Sequence, residues 1–115
     1  MFAAHHGLDN LVGIVDYNKL QSLTTVAKTL GLEPLADKIA AFGWGVREVD
    51  GHDYRALADA LAGAPWEHGK PSMLIAHTIK GKGVSFMEDQ VAWHYRNPGA
   101  EDLARALDEL EHADA

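Results

Sequence analysis

LVGIVDYNKLQ, residues 11–21, decides the fold. Leu11, Val12, Ile14 and Val15 form an apolar run bounded by Asp9-Asn10 before it and Asp16 after it, the pattern of a strand covered on both faces. Strands of that kind belong to parallel sheets, whose ligands sit beyond the carboxyl ends of the strands. The run delivers Asp16 and Asn18 straight into a loop. Oxygen-bearing side chains at a strand end are suited to hold a hard cation and a phosphate.

Working outward, strands and helices alternate. The spacing of Leu35, Ile39 and Phe42, with Ala36 and Ala40 beside them, predicts a helix over 33–42, with Pro34 in its first turn and Gly43 past its end. GVREVD follows as a second strand, with Val46 and Val49 as its apolar positions. Asp53 is a good N-cap for a helix with Tyr54, Leu57 and Leu61 along one side. Ser72 to Thr78, SMLIAHT, is a third strand with an apolar middle. The segment 79–99 has little periodicity, several glycine or proline breaks and many functional side chains, and reads as a long ordered loop. Leu103, Leu107 and Leu110 mark a closing helix over 100–112. At the other end, residues 1–8 read as the final turns of a helix that begins elsewhere, because MFAAHH is helix-prone but too short to be stable alone. The alternation implies an α/β fold, part of a doubly wound parallel sheet with flanking helices.

Composition narrows the classes. A chain of 115 residues is long enough for one domain and one core, with 1–115 read as a single partial domain. Its formal charge of -7, with ten dispersed Lys and Arg, argues against a nucleic-acid partner. Lys80 and Lys82 are the one small basic cluster. No apolar run approaches the roughly 20 residues a membrane span needs. MFAAHHGLDN lacks a basic leader followed by an apolar core, so a cytoplasmic location is expected, and the absence of cysteine agrees with it.

Three collinear blocks carry a resemblance: AAHHGLDNLVGIVDYNKLQ, AAFGWGVREVDGHD, and KPSMLIAHTIKGKGVSFMED followed by WHYRNP. Together they resemble transketolase, specifically the diphosphate-binding N-terminal segment that two-gene forms of the enzyme carry as a separate small subunit. The resemblance covers nearly the whole chain and implies the thiamine-diphosphate-binding fold, with this chain as the C-terminal part of the diphosphate domain. Two-carbon ketol transfer between sugar phosphates, with thiamine diphosphate and magnesium, is the activity implied. In the family, the side chain of the motif's Asn and the backbone carbonyl two residues later hold the magnesium; here those are Asn18 and Leu20. Ser22 stands where many transketolases place an apolar residue against the cofactor's thiazolium ring. His94 aligns with a histidine beside the cofactor's diphosphate that also helps handle the acceptor sugar, which implies a catalytic and cofactor-binding role. Many related subunits have glycine after that histidine, where this chain has Tyr95.

Residue type alone allows plainer readings. Asn18 can simply stabilise its own turn, His94 can pack beside Trp93 and Tyr95, and Lys80-Gly81-Lys82-Gly83 can be a turn with solvated lysines. Asp16 is expected to shape the loop. Adjacent residues on a helix point about 100 degrees apart, so His5 and His6 are not expected to chelate one metal.

The family's motif opens with Gly-Asp-Gly, which these 115 residues lack. The expectation is therefore a component of a split enzyme, inactive alone, whose partner chains supply the Gly-Asp-Gly half and the pyrimidine-binding domain. A non-catalytic assembly or regulatory module, a truncated fragment, and a part of another thiamine-diphosphate enzyme are the alternatives. In each case an exposed strand edge and apolar face are expected to be ordered by association.

Overall fold

The apolar run does become a strand. A computed structural model describes residues 1–112 and contains α1 (Phe2–His5), β1 (Val12–Tyr17), α2 (Val26–Thr29), α3 (Leu35–Ala41), β2 (Gly45–Asp50), α4 (Tyr54–Ala62), β3 (Ser72–His77), a 3-10 turn (Val91–His94) and α5 (Ala100–His112). The three strands form one parallel sheet in the order β1-β3-β2, with Val12 and Gly45 both in register with Ser72, and Tyr17 and Asp50 both in register with His77. All three strands thus finish at one edge, which gathers Asp16, Tyr17, Asp50 and His77.

The chain divides into two compact units. One comprises Met1–Tyr17 and Leu32–Thr78 and contains the whole sheet; the other comprises Asn18–Gly31 and the chain from Ile79. In the sheet unit, burial concentrates on the central strand β3, where Ser72, Leu74, Ile75 and Ala76 are all buried. Both α3 and α4 pack on β2. The expectation that β1 is covered on both faces fails at its outer residues, since Val12 is 37% and Ile14 57% exposed. Position explains the difference: β1 ends the sheet, so the fully covered strand is the inner one, β3.

Local chemistry explains the helix ends. Asp53 caps α4, its carboxylate accepting from the N–H groups of Arg55 and Ala56 at 2.9 Å each. Pro34 stands at the N-cap of α3, one residue before the helix proper. Gly43, just past α3, sits at φ +89, a left-handed conformation that favours glycine. The packed side of α4 differs from the expected one: Tyr54 is 85% exposed while Ala60 is buried. A small side chain at that position lets the helix backbone approach the strands closely.

In the second unit, Val84 and Ala106 are the buried apolar residues among those described. The 79–99 segment is a series of turns followed by the 3-10 turn and a short irregular stretch before α5. Gly81 is required in it, because its φ is +75 and a Cβ there would lie 2.7 Å from the carbonyl oxygen of Met87. Among the described residues no helix is long and apolar enough to cross a membrane.

Candidate functional site

Asn18 and Leu20 fall in one turn, and the backbone around them explains why. The Asn18 Oδ1 accepts a hydrogen bond from the Leu20 N–H at 2.9 Å, an Asx turn. Lys19 between them takes φ +63. Beyond the turn the chain doubles back, with Leu20 bridged antiparallel to Thr25, the Gln21 N–H on the Thr24 carbonyl at 3.0 Å and the Val26 N–H on the Lys19 carbonyl at 2.8 Å. Neither of those two bonds uses the Leu20 carbonyl. Thr25 then caps the single turn of α2 with its hydroxyl. Ser22, half-buried, lies inside this hairpin.

Two neutral oxygens, one amide and one carbonyl, are therefore carried by a single short turn. That donor set fits magnesium, which takes oxygen ligands and completes its shell with phosphate and water. An amide oxygen has two acceptor positions, so its type suits both a turn hydrogen bond and a cation. Among the described residues there is no group of three or more His, Asp or Glu placed to hold a metal. The turn itself offers neutral ligands.

His94 stands on a different element, as the last residue of the 3-10 turn. It is exposed, and its ring stands edge-on to that of Tyr95 with centroids 4.8 Å apart. Trp93 before it donates its indole N–H to the Phe86 carbonyl at 3.0 Å, and the two rings meet at 63° with centroids 5.5 Å apart. The Arg96 guanidinium lies 4.6 Å from the Trp93 ring. The Lys80–Gly83 stretch is a turn, in which the Asp89 N–H bonds the Lys80 carbonyl, while Glu88 accepts from the Gly83 N–H and lies 3.8 Å from Lys82 Nζ. A carboxylate thus accompanies the small basic cluster.

How this segment is held leaves little mark in the sequence. Glu109 of α5 accepts from both the N–H and the hydroxyl of Ser85. Those two hydrogen bonds, backbone first, pull its carboxyl below the ordinary value of 4.5, with a smaller contribution from Arg105 and against the opposing effect of burial. Arg105 lies 3.5 Å from Glu109 and places its guanidinium over Phe86 at 4.4 Å. The i,i+4 spacing of Arg105 and Glu109 was the visible signal; their target in the loop was not.

The sheet unit has its own polar edge. Asp16 accepts from the Thr78 hydroxyl, the Tyr17 hydroxyl donates to Glu33 at 2.7 Å, and His77 Nε2 lies 2.7 Å from Glu48. His5 and His6 stand edge to face with centroids 4.9 Å apart.

Comparison with known proteins gives one answer. The chain is similar to the 6-deoxy-6-sulfo-D-fructose transketolase subunit SqwG of Clostridium sp. (strain MSTE9), 43% identical over 111 residues, which cover 96% of this chain and 40% of that protein. It is similar also to an apulose-4-phosphate transketolase subunit of Phocaeicola vulgatus, 39% identical over 96% of this chain and 39% of that one. Its fold matches the crystal structure of transketolase from Campylobacter jejuni with a TM-score of 0.86 and 29% identity, over 96% of this chain and 17% of that one. The chain thus spans about two fifths of the length of the first two relatives. The family described as "Transketolase, thiamine diphosphate binding domain" matches residues 1–113, and the chain belongs to that family.

Proposed function

We propose that residues 1–115 form the C-terminal part of a single diphosphate-binding domain in a split, transketolase-like enzyme that moves a two-carbon ketol unit between sugars. The observation that carries this is the Asn18–Leu20 turn, one short segment that carries both a side-chain amide oxygen and a backbone carbonyl just past a strand end. In this reading Asn18 and Leu20 would hold the magnesium, Ser22 would line the cofactor's site, and 79–99 would be the active-site loop. Thiamine diphosphate, when bound, supplies the nucleophilic carbon that takes up and hands on the ketol unit. His94 would donate a hydrogen bond to a phosphate oxygen, or a proton to the acceptor's aldehyde oxygen as the carbon–carbon bond forms. The charged magnesium ligand and the pyrimidine-binding domain come from polypeptide outside these residues. Relatives named as transketolase subunits support an enzyme of several chains, and their names, one carrying a phosphate and one a sulfonate group, support substrates with an anionic end.

Calorimetry tests the reading. The chain mixed with a polypeptide carrying the Gly-Asp-Gly segment and the pyrimidine domain binds thiamine diphosphate in a magnesium-dependent manner, and Asn18→Ala abolishes both binding and ketol transfer. Binding and activity untouched by that substitution sink the magnesium assignment. A stable complex that takes up no cofactor at high thiamine diphosphate and magnesium makes the chain an assembly module instead.

A further inference from the structure

We infer that Arg96, Asp102 and Arg105 are positioning residues for His94, which they hold at the tip of a loop closed by a ring of side chains. The inference rests on the role given to His94 above. The ring can be followed residue by residue. It starts on α5, where the Asp102 carboxylate accepts from Arg96 Nη2 at 2.9 Å. The other side of Arg96 faces Trp93, its guanidinium 4.6 Å from the indole. Trp93 meets Phe86 through both a ring contact and the indole hydrogen bond to the Phe86 carbonyl. Phe86 lies beneath Arg105, which returns the path to α5 one turn beyond Asp102.

His94 and Tyr95 are the two residues between Trp93 and Arg96 in the chain. When the Arg96 guanidinium covers the Trp93 ring, it closes a four-residue loop with the imidazole and the phenol at its tip. The Arg96 N–H bond to the Ala92 carbonyl at 3.1 Å tightens the same loop from the backbone side. Each contact is weak at an exposed site. Closed into a ring, each limits the freedom of the next. The Arg105–Glu109–Ser85 set ties the residue before Phe86 to the same helix. None of these groups belongs to the magnesium turn. Their function is to present the imidazole in one orientation without touching substrate, and an imidazole misplaced by about 1 Å can lose a hundredfold in rate.

The planar guanidinium matters as much as its charge. Arginine presents a flat face to the indole and a directional fork to a carboxylate, which lysine cannot do together. Arg96→Lys therefore keeps attraction to Asp102 and weakens the stack, and gives an intermediate result.

The test is solution NMR on the full chain, with the His94 ring signals assigned by their loss in His94→Asn. In Arg96→Ala, and again in Asp102→Ala, the His94 ring protons move toward the positions of an unstructured peptide and the Trp93 indole N–H exchanges faster, while the β1–β3 amides stay in place. Arg96→Lys recovers part of both shifts. His94 signals that remain at their wild-type positions in both alanine variants overturn the inference, and so does an equal disturbance of the β3 amides. In the reconstituted enzyme, Arg96→Ala lowers kcat roughly ten- to hundredfold with the donor KM unchanged. Full activity in His94→Asn would remove the role given to His94 and leave the NMR result to decide the positioning.

Discussion

The two units of this chain are held together by different forces. The sheet unit is a matter of backbone and burial: three strands in continuous parallel register, with β3 buried between its neighbours. The unit from Ile79 onward, with the 18–31 hairpin, buries only Val84 and Ala106 among its described apolar residues and is organised by caps, stacks and charge-assisted hydrogen bonds from α5. Rigid ladders suit a scaffold. Side-chain pairings suit a segment that presents functional groups, because they fix direction while leaving the groups exposed.

Truncating one leucine in each unit is the sharpest way to break that comparison. Leu74 is fully buried at the middle of β3, in register with Ile14 on one side and Arg47 on the other. Leu74→Ala is expected to lower unfolding free energy by about 2–5 kcal/mol, through lost transfer energy and the cavity left behind. Leu107 on α5 is 50% exposed, and Leu107→Ala is expected to cost about 0.5 kcal/mol or less. Urea denaturation of the two variants reads both numbers; equal losses would erase the distinction between the units.

A cap in the sheet unit comes next in size. Asp53→Ala removes the acceptor for two N–H groups at the start of α4 and is expected to cost about 1 kcal/mol. Thermal unfolding measures it, and Asp53→Ser should recover most of the loss. Asn18→Ala is the counterpart in the second unit. It removes one turn hydrogen bond, worth about 0.5–1.5 kcal/mol. Its effect on stability is thus comparable with that of the cap, while its effect on magnesium-dependent cofactor binding is expected to be complete. Dissociation of those two readouts is the signature of a residue kept for a ligand; a variant that loses stability alone returns Asn18 to the role of a turn former.

How much of this was legible follows the same division. The β1 and β3 runs, the helix spacing of Leu35 and Ile39, and the Asp53 cap are local patterns, and each produced the element it predicted. Strand order was not legible, because 11–15 and 73–76 are both short apolar runs, and only their neighbours make β3 central and leave Ile14 exposed. The four residues of α2 are too few to show a period. Of the candidate site, the nearness of Asn18 to Leu20 follows from two residues of separation, and the turn that joins them from the known habits of Asn. The ring around His94 joins residues up to 19 positions apart, Phe86 with Arg105, through contacts that leave no periodic mark. Aromatic and arginine side chains scattered along 86–105 were its only trace.

The smallest effect tests whether the second unit depends on charge as its contacts imply. Glu109 holds Ser85 as a carboxylate, and its carboxyl sits below the ordinary 4.5 because the Ser85 N–H and hydroxyl both donate to the charged form. A folded-state pKa below the unfolded one stabilises the fold above the unfolded value, and that contribution is lost as pH falls through the folded one. The Ser85 amide signal should therefore titrate with a midpoint below 4.5 and lose its pH dependence in Glu109→Gln, whose amide oxygen still accepts but carries no charge. A midpoint at or above that value would mean that the carboxylate is not what holds the loop. The Met73 and Leu74 amides of β3, in register with Gly13 and Ile14 on one side and Val46 and Arg47 on the other, none of them a carboxylate, should not follow this titration at all. A shared midpoint would show that the two units, so different in what binds them, respond to acid as one.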